Sequence, residues 1–229
     1  MEHVTGTFYC VGVGPGDPEL ITCKALNVLR RCPVIAAPRT QGGDMVALDI
    51  AQKALDLSGK ELLSLSFPMG AGDREAAYAQ AARAIARHLE AGEDVAMVNL
   101  GDVSIYSTCG HLLSPIREMG YETVMVPGVA SFSAVAARLG ISLTTARTPI
   151  HIIPASSLST REALELPGTK VLMKSGSRLD QVCRELEEGG ALDRACLVSN
   201  CGLEGEVVCR DLRRLSGQPG YYTTIIVKE

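Results

Sequence analysis

The sequence predicts an α/β protein with two α/β domains, a first over 1–128 with a five-stranded parallel sheet and a second over 129–229 with a mixed sheet. Three observations support this prediction. Short β-forming stretches alternate with helical patterns in the first half. Five such stretches lie close together in the second half, with fewer long helices between them. The composition, 46% apolar and 21% charged over 229 residues, is ordinary for a globular protein.

The first domain begins with a buried strand and a well-marked helix start. "TFYCVGV" is rich in β-forming residues, and Asp17 with Pro18 then supplies an N-cap and a proline at the first helical position. Apolar residues recur at helical spacing through "ELITCKALNVLRRC". The later elements, in chain order, are a strand "PVIAAP", a helix "MVALDIAQKALDL", a strand "ELLSLSF", a helix "REAAYAQAARAIARHLEAG", a strand "DVAMVNL", a helix over 108–118 and a strand "ETVMVPG".

The second domain is predicted from closely spaced strands. These are "IHIIP", "KVLMKS", "ACLVSN", "GEVVCR" and "YYTTIIVKE". The segment "PASSLSTREALELPG" is predicted to be a loop and a short helix lining the gap between the domains.

Three turns follow predicted parallel strands, where open α/β sheets bind their ligands. They are 14–17, 101–107 and 127–131. The first, within "GVGPGDPEL", lacks the third glycine of a dinucleotide fingerprint and the Lys-Ser/Thr pair of a phosphate loop. A nicotinamide-dependent dehydrogenase is therefore disfavoured.

Composition and charge exclude other classes of function. A net charge of -4 argues against nucleic-acid binding, which needs a basic face. The N-terminus lacks the pattern of a targeting peptide, and no stretch reaches the roughly 20 apolar residues of a membrane span. Eight cysteines contain no Cys-x-x-Cys pair, so no metal site is predicted. Most of these cysteines lie in apolar stretches and are interpreted as free thiols in a reducing cytoplasm.

In combination and in order, four motifs resemble those of the tetrapyrrole methylases. The motifs are "VGVGPGDPELIT", "GDVSIYST", "VPGVASFSAVAARLGISL" and "VLMKSG". The resemblance implies the tetrapyrrole methylase fold, in which a deep inter-domain cleft separates two α/β domains. It also implies S-adenosyl-L-methionine as cofactor, S-adenosyl-L-homocysteine as product, a small-molecule tetrapyrrole substrate and a homodimer.

Within the family, "YST" at 106–108 and the C-terminal "TTIIV" resemble enzymes that methylate C20 of precorrin-2 or cobalt-factor II, also called cobalt-sirohydrochlorin. The "GGDPFVFGRG"-like stretch of the uroporphyrinogen methylases is missing. Two departures are Val103, where the family has proline, and "CGH" at 109–111. A C11, C17 or uroporphyrinogen III methylase, or a non-catalytic tetrapyrrole-binding protein, stays an alternative.

The resemblance also implies a set of cofactor-binding residues. For Asp102 a turn cap is an equal alternative, for Ser131 a plain helix N-cap, and for Met173 and Cys201 a place in the core. No catalytic acid or base is assigned, because no suitably spaced pair occurs and positioning of the reactants should dominate the chemistry. The cofactor-binding set is Pro15, Leu100, Gly101, Asp102, Val103, Ile105, Tyr106, Ser131, Phe132, Met173 and Cys201.

The expected substrate carries several carboxylates, so cationic side chains should rim the cleft. The candidates lie near predicted strand ends, with a solvated surface charge as the alternative for each. His111 is interpreted as structural, with an approach to the macrocycle or its cobalt as the alternative. The candidate cations are Arg39, Arg147, Lys174 and Arg178.

Overall fold

The computed structural model describes residues 4–39, 43–67, 74–155, 158–215, 217 and 219–229. The chain divides into two compact units, Met1–Ala130 and Ser131–Glu229. No helix in the described part of the chain combines the length and apolar character needed to cross a bilayer.

The first unit contains the predicted five-stranded parallel sheet. Its strand order is β3-β2-β4-β1-β5, and β1 pairs with both β4 and β5 in parallel register. Every residue of β1 and β4 is buried, because these central strands are covered on both faces. The strands are β1 (Phe8–Gly12), β2 (Val34–Arg39), β3 (Glu61–Ser66), β4 (Val95–Asn99) and β5 (Thr123–Val126).

The first helix starts later than the sequence predicts. Asp17 caps only a 3-10 turn, Pro18–Leu20, and the chain is extended at Ile21 (ψ 129°). The α-helix then starts after Thr22, whose Oγ1 accepts a hydrogen bond from the Ala25 N–H at 3.1 Å. The helices of this unit are α1 (Cys23–Arg31), α2 (Val46–Ala54), α3 (Arg74–Glu90) and α4 (Gly110–Glu118).

The second unit contains the predicted mixed sheet, in the order β6-β7-β10-β8-β9. β10 is antiparallel to both β7 and β8, so the carboxyl ends of β7 and β8 lie at the same edge. The strands are β6 (Ile150–Pro154), β7 (Thr169–Met173), β8 (Ala195–Ser199), β9 (Val207–Cys209) and β10 (Thr223–Val227).

In the described part of this unit, the α-helices are α5 (Ser131–Leu139), α6 (Thr160–Leu164) and α7 (Leu179–Glu188). α7 was not predicted from the sequence. Its buried residues Leu179, Val182 and Leu186 form one apolar stripe at helical spacing, which would have identified it.

The interpretation of the cysteines was correct for six and wrong for two. Cys23, Cys32, Cys183, Cys196, Cys201 and Cys209 are free. Cys10 on β1 and Cys109, which precedes α4, form a disulfide. The pair is 99 residues apart in sequence, so no local spacing could reveal it. Folding brings the two together because β1 and β4 are neighbouring strands and Cys109 ends the loop that follows β4.

Candidate functional site

The turns that follow β1 and β4 contact each other directly at the carboxyl edge of the first sheet. Gly14 and Gly101 form an antiparallel bridge, in which the Gly101 N–H donates to the Gly14 carbonyl at 2.8 Å. The Val13 N–H donates to the Asn99 carbonyl at 3.0 Å. Two of the three predicted ligand-binding turns are therefore joined through their backbones.

The third turn, which follows β5, packs against the first two turns at Gly128. A Cβ added to Gly128 would lie 2.4 Å from the Gly101 carbonyl oxygen, and one added to Gly12 would lie 2.6 Å from the Gly128 nitrogen. Both distances are shorter than a Cβ atom tolerates. Glycine is needed here because only a residue without a side chain lets three backbones approach so closely.

Asp102 connects the turns after β4 and β5. Its Oδ2 accepts a hydrogen bond from the Gly128 N–H at 2.9 Å, and its Oδ1 accepts one from the Ser104 N–H at 2.8 Å. The Ser104 hydroxyl also donates to Oδ1. Asn99 is buried, 5% exposed, at the end of β4. Its Nδ2 donates a hydrogen bond to the Leu100 carbonyl at 2.9 Å and so stabilises the same turn.

These hydrogen bonds decide the ionisation of Asp102. Burial raises the pKa of the carboxyl group, but the bonds from Ser104 and from the N–H groups of Gly128 and Val103 outweigh burial, so the pKa lies below its ordinary value. Asp102 is therefore a carboxylate at neutral pH, and the turn-cap role is present in the structure.

The rest of the loop between β4 and α4 divides into anchored and exposed residues. The Val103 side chain, 3% exposed, is part of the hydrophobic core, so only its backbone is available to a ligand. Tyr106 is 42% exposed and has a left-handed backbone (φ 48°), which a tyrosine seldom adopts and which is typical of functional sites. Ser107 Oγ accepts a hydrogen bond from the Gly110 N–H, and Cys109 fixes the end of the loop to β1.

In the first turn, buried residues and a capping aspartate have structural roles. Pro15 and Gly16 are buried. The Asp17 carboxylate accepts a hydrogen bond from the Glu19 N–H at 2.9 Å, as expected for a cap. Asp17 is therefore a cap, as predicted, but of the 3-10 turn Pro18–Leu20; Thr22 caps the α-helix that the sequence assigned to Asp17.

The second unit carries the other predicted cofactor residues. Ser131 and Phe132 form the start of α5, where Ser131 is already the first helical residue. Met173 ends β7 and is 7% exposed, and Cys201 lies two residues beyond β8, at the same edge of the sheet. Lys174 and Asn200, which directly follow these two strands, both have left-handed backbones, with φ 57° and 51°.

A buried polar network holds this edge of the second sheet. Ser199 Oγ accepts a hydrogen bond from the Gly220 N–H at 3.0 Å and lies 3.0 Å from Thr223 Oγ1. A Cβ on Gly176 would lie 2.0 Å from the Gly220 carbonyl oxygen. The turns after β7 and before β10 are thus packed backbone against backbone, as in the first unit.

Of the four candidate rim cations, Arg178 has a structural role. Its guanidinium donates to the Ala155 carbonyl at 2.8 Å and to Gln181 Oε1 at 3.0 Å, so it ties the end of β6 to α7. Burial lowers the pKa of the Lys174 amine below its ordinary value. Arg39 and Arg147 are exposed.

Sequence reasoning did not select three residues that shape the site: Asn99, Ser104 and Gly128. The backbone of Ser104 had a usable signal, because an aspartate in a turn often accepts a hydrogen bond from the N–H two residues later. Gly128 lies inside the predicted third turn, but its contact with Gly101 depends on strand order, which the sequence does not display.

The residues of the first unit fit S-adenosylmethionine as a ligand. Beside the packed glycine turns, the loop after β4 carries the Asp102 carboxylate, the exposed Tyr106 and the partly exposed Leu100 and Ile105, which suit the polar and apolar parts of such a ligand. This fit concerns the first unit alone, because Ser131, Phe132, Met173 and Cys201 belong to the second.

Known proteins resemble this chain over its whole length. The cobalt-precorrin-2 C(20)-methyltransferase of Salmonella typhimurium is 33% identical, with 99% of this chain and 98% of that protein covered. The structure of cobalt precorrin-4 methyltransferase CbiF superimposes with a TM-score of 0.76 at 22% identity, covering 96% of this chain and 94% of that one. The uroporphyrin-III C-methyltransferase of Thermus thermophilus, solved with S-adenosylhomocysteine, gives 0.71 at 22% identity, with 98% and 92% covered.

The family profile of the tetrapyrrole (corrin/porphyrin) methylases matches residues 7–215. Because this match spans most of the chain, the family resemblance and the fold expected from it are confirmed. The chain belongs to the tetrapyrrole (corrin/porphyrin) methylases and is an S-adenosylmethionine-dependent methyltransferase.

Proposed function

We propose that this protein transfers a methyl group to C20 of precorrin-2 or of its cobalt-loaded counterpart, cobalt-sirohydrochlorin, in cobalamin biosynthesis. The observation that carries the proposal is the near-complete coverage of a relative named as a cobalt-precorrin-2 C(20)-methyltransferase. The motif "GDVSIYST", which forms the loop from Gly101 to α4, supports the same choice.

The first unit contributes a preformed backbone cradle. Bound S-adenosylmethionine supplies a methyl group on a sulfonium, which is already a good electrophile, so the protein's task is to orient rather than to activate. Asp102, Ser104 and Gly128 hold the loop after β4 in one conformation, while Leu100, Ile105 and Tyr106 are the residues of that loop that we assign to cofactor contact. A preformed loop lowers the entropic cost of positioning the reactants.

The second unit contributes the remaining contacts in this proposal. Met173 at the end of β7 and Cys201 beyond β8 are assigned to the cofactor, together with Ser131 and Phe132 at the start of α5. Pro15 shapes the floor on which cofactor and tetrapyrrole meet. We also propose a homodimer, which the family resemblance implied.

Anaerobic incubation with S-adenosylmethionine tests the substrate. Precorrin-2, cobalt-sirohydrochlorin and uroporphyrinogen III are supplied in separate reactions, and mass spectrometry counts the methyl groups gained. We expect one added methyl on one of the first two and none on uroporphyrinogen III. Methylation of uroporphyrinogen III alone would contradict the C20 proposal and indicate a uroporphyrinogen III methylase.

Thermal unfolding separates an enzyme from a tetrapyrrole carrier. A ligand that binds only the folded state stabilises it by about 2.7 kcal/mol at 100 times its dissociation constant. We expect S-adenosylhomocysteine to raise the melting temperature accordingly. A melting temperature that stays constant at high excess, in protein that binds tetrapyrrole, would support the carrier.

A further inference from the structure

His111 differs from the other two histidines that the structure describes. His88 Nδ1 lies 2.7 Å from Glu93 Oε2, and His151 Nε2 lies 2.9 Å from the Pro167 carbonyl oxygen. His111 is exposed, and no hydrogen bond within the described ranges involves its ring nitrogens. A structural hydrogen bond therefore does not explain it.

The His111 ring is nevertheless held in place by a stack of three rings. Its centroid lies 4.9 Å from that of Tyr78, with the planes tilted by 39°, and the Tyr78 centroid lies 5.1 Å from that of Phe67. These spacings are typical of aromatic pairs. Phe67 and Tyr78 are half-buried and pack against the core of the first unit, so the stack runs from the core to the exposed imidazole.

Stacking uses the face of an imidazole and hydrogen bonding uses its edge. The stack therefore fixes the His111 ring while its nitrogens remain available to a ligand. The arrangement is unusual for this chain, which contains only 3 Phe, 6 Tyr and no Trp.

The stack lies at the edge of the sheet where the candidate site lies. Phe67 directly follows β3, Tyr78 is in the second turn of α3, and His111 is the second residue of α4, just after the loop that carries Asp102. All strands of this sheet are parallel, so residues at the carboxyl ends of β3 and β4 share one edge.

A cationic residue, Arg74, neighbours the stack. Burial raises the pKa of the Tyr78 hydroxyl, and the positive charge of Arg74, the first residue of α3, partly offsets this effect. Arg74 and Tyr78 are four residues apart on α3 and therefore lie on one face of that helix, which places a cationic residue beside the stack.

We propose that His111, held by Tyr78 and Phe67, is a specificity-determining contact whose ring N–H donates a hydrogen bond to a peripheral carboxylate of the tetrapyrrole. The inference rests on the proposed function for the identity of the ligand. A peripheral carboxylate does not change during methyl transfer, so the contact stabilises substrate and transition state equally. Its loss should raise KM and leave kcat unchanged.

The test compares His111→Ala and His111→Gln with a matched control, His151→Gln in the second unit. We expect His111→Ala to raise the KM and the dissociation constant for the tetrapyrrole about tenfold, the usual effect of losing a hydrogen bond to a charged group. His111→Gln should recover most of the affinity because its amide donates. The dissociation constant of S-adenosylhomocysteine should not change in any of the three. An unchanged tetrapyrrole affinity in His111→Ala, or a parallel loss of S-adenosylhomocysteine binding, would overturn the inference.

Absorption titration of the tetrapyrroles without S-adenosylmethionine keeps this inference separate from the proposed function. A wild-type protein that binds both tetrapyrroles but methylates neither contradicts the proposed function, while weaker binding by His111→Ala in that titration still upholds the role of His111. Methylation at C20 by the wild-type protein, together with unchanged kinetics in His111→Ala, would support the proposed function and contradict the role of His111. Wild-type protein that binds neither tetrapyrrole contradicts both.

Discussion

Asp102 shows how one side chain can organise a site before any ligand arrives. Its carboxylate accepts hydrogen bonds from Ser104 and from the Gly128 N–H, so it connects a turn after β4 with a turn after β5. The sequence left the turn cap and the cofactor contact as equal alternatives. The structure contains the cap, and we propose that Asp102 influences cofactor binding through the loop that it positions.

Replacing Asp102 by asparagine tests this role. An amide has one acceptor oxygen, so either Ser104 or Gly128 loses its partner, and we expect the free energy of unfolding to fall by about 1–2 kcal/mol at pH 7. Urea unfolding measures the change. Asp17→Asn is the control, because Asp17 caps a single N–H, that of Glu19, and should cost less.

The stabilisation by Asp102 should also depend on pH. Its folded-state pKa is below the ordinary value of 3.8, so the contribution is fully present above pH 3.8 and is lost as the pH falls through the folded-state pKa. The difference in stability between wild type and Asp102→Asn should shrink on acidification below about pH 3.8. A difference that stays constant down to pH 2 would contradict this role.

At the scale of elements, the site depends on turns that pack through glycine. Gly12 ends β1, Gly101 follows β4 and Gly128 follows β5, and each approaches the backbone of another. The relative positions of three strand ends are thereby fixed without side chains. This explains why the opening turn is rich in glycine although it is not a phosphate cradle.

Gly128→Ala should disrupt this packing. The added methyl would lie 2.4 Å from the Gly101 carbonyl oxygen, so the turns must move apart. We expect a loss of about 1–3 kcal/mol of stability and weaker binding of S-adenosylhomocysteine. Gly110→Ala at the start of α4 is the control, because its nearest neighbours are 3.8 Å away and alanine favours a helix. Equal stability of the two variants would show that the turns are not closely packed.

The Cys10–Cys109 disulfide anchors the far end of the loop after β4. Its reduction by a dithiol should lower the free energy of unfolding by about 2–5 kcal/mol, as for other native disulfides. Thiol titration of the denatured protein should find six thiols before reduction and eight after, given the six free cysteines. Eight thiols in protein that was never reduced would contradict the disulfide. Cys23→Ser, at an exposed free cysteine, should leave stability unchanged.

Most elements were predictable from the sequence because apolar periodicity determines them. Each of the ten strands found among the described residues was identified, since each is a short β-forming stretch between turn residues. The start of α1 was misplaced because Asp17 and Pro18 give the same signal for a 3-10 turn as for an α-helix. Contacts between distant residues, such as Gly12 with Gly128 or Cys10 with Cys109, depend on strand order and could not be predicted.

At the scale of the whole molecule, the two units place their candidate residues in the same way. In the first unit, Pro15 and the residues from Leu100 to Tyr106 follow β1 and β4; in the second unit, Met173 ends β7 and Cys201 follows β8. Turns packed backbone against backbone lie beside both groups and hold them in place. Such preorganisation suits a reaction in which positioning is the main contribution.

The proposed homodimer makes a prediction at this scale. Light scattering coupled to gel filtration should give twice the mass of one chain, which is 24.2 kDa. The mass of a single chain at the concentrations used for the activity assay would contradict the homodimer.

The position of the transferred methyl tests the proposed C20 activity. The protein is incubated without oxygen with S-adenosylmethionine carrying a 13C-methyl group and with precorrin-2 or cobalt-sirohydrochlorin, and the product is analysed by NMR. We expect one labelled methyl on C20 of one of the two tetrapyrroles. A labelled methyl at any other carbon, or none from folded protein that binds S-adenosylhomocysteine, would contradict it.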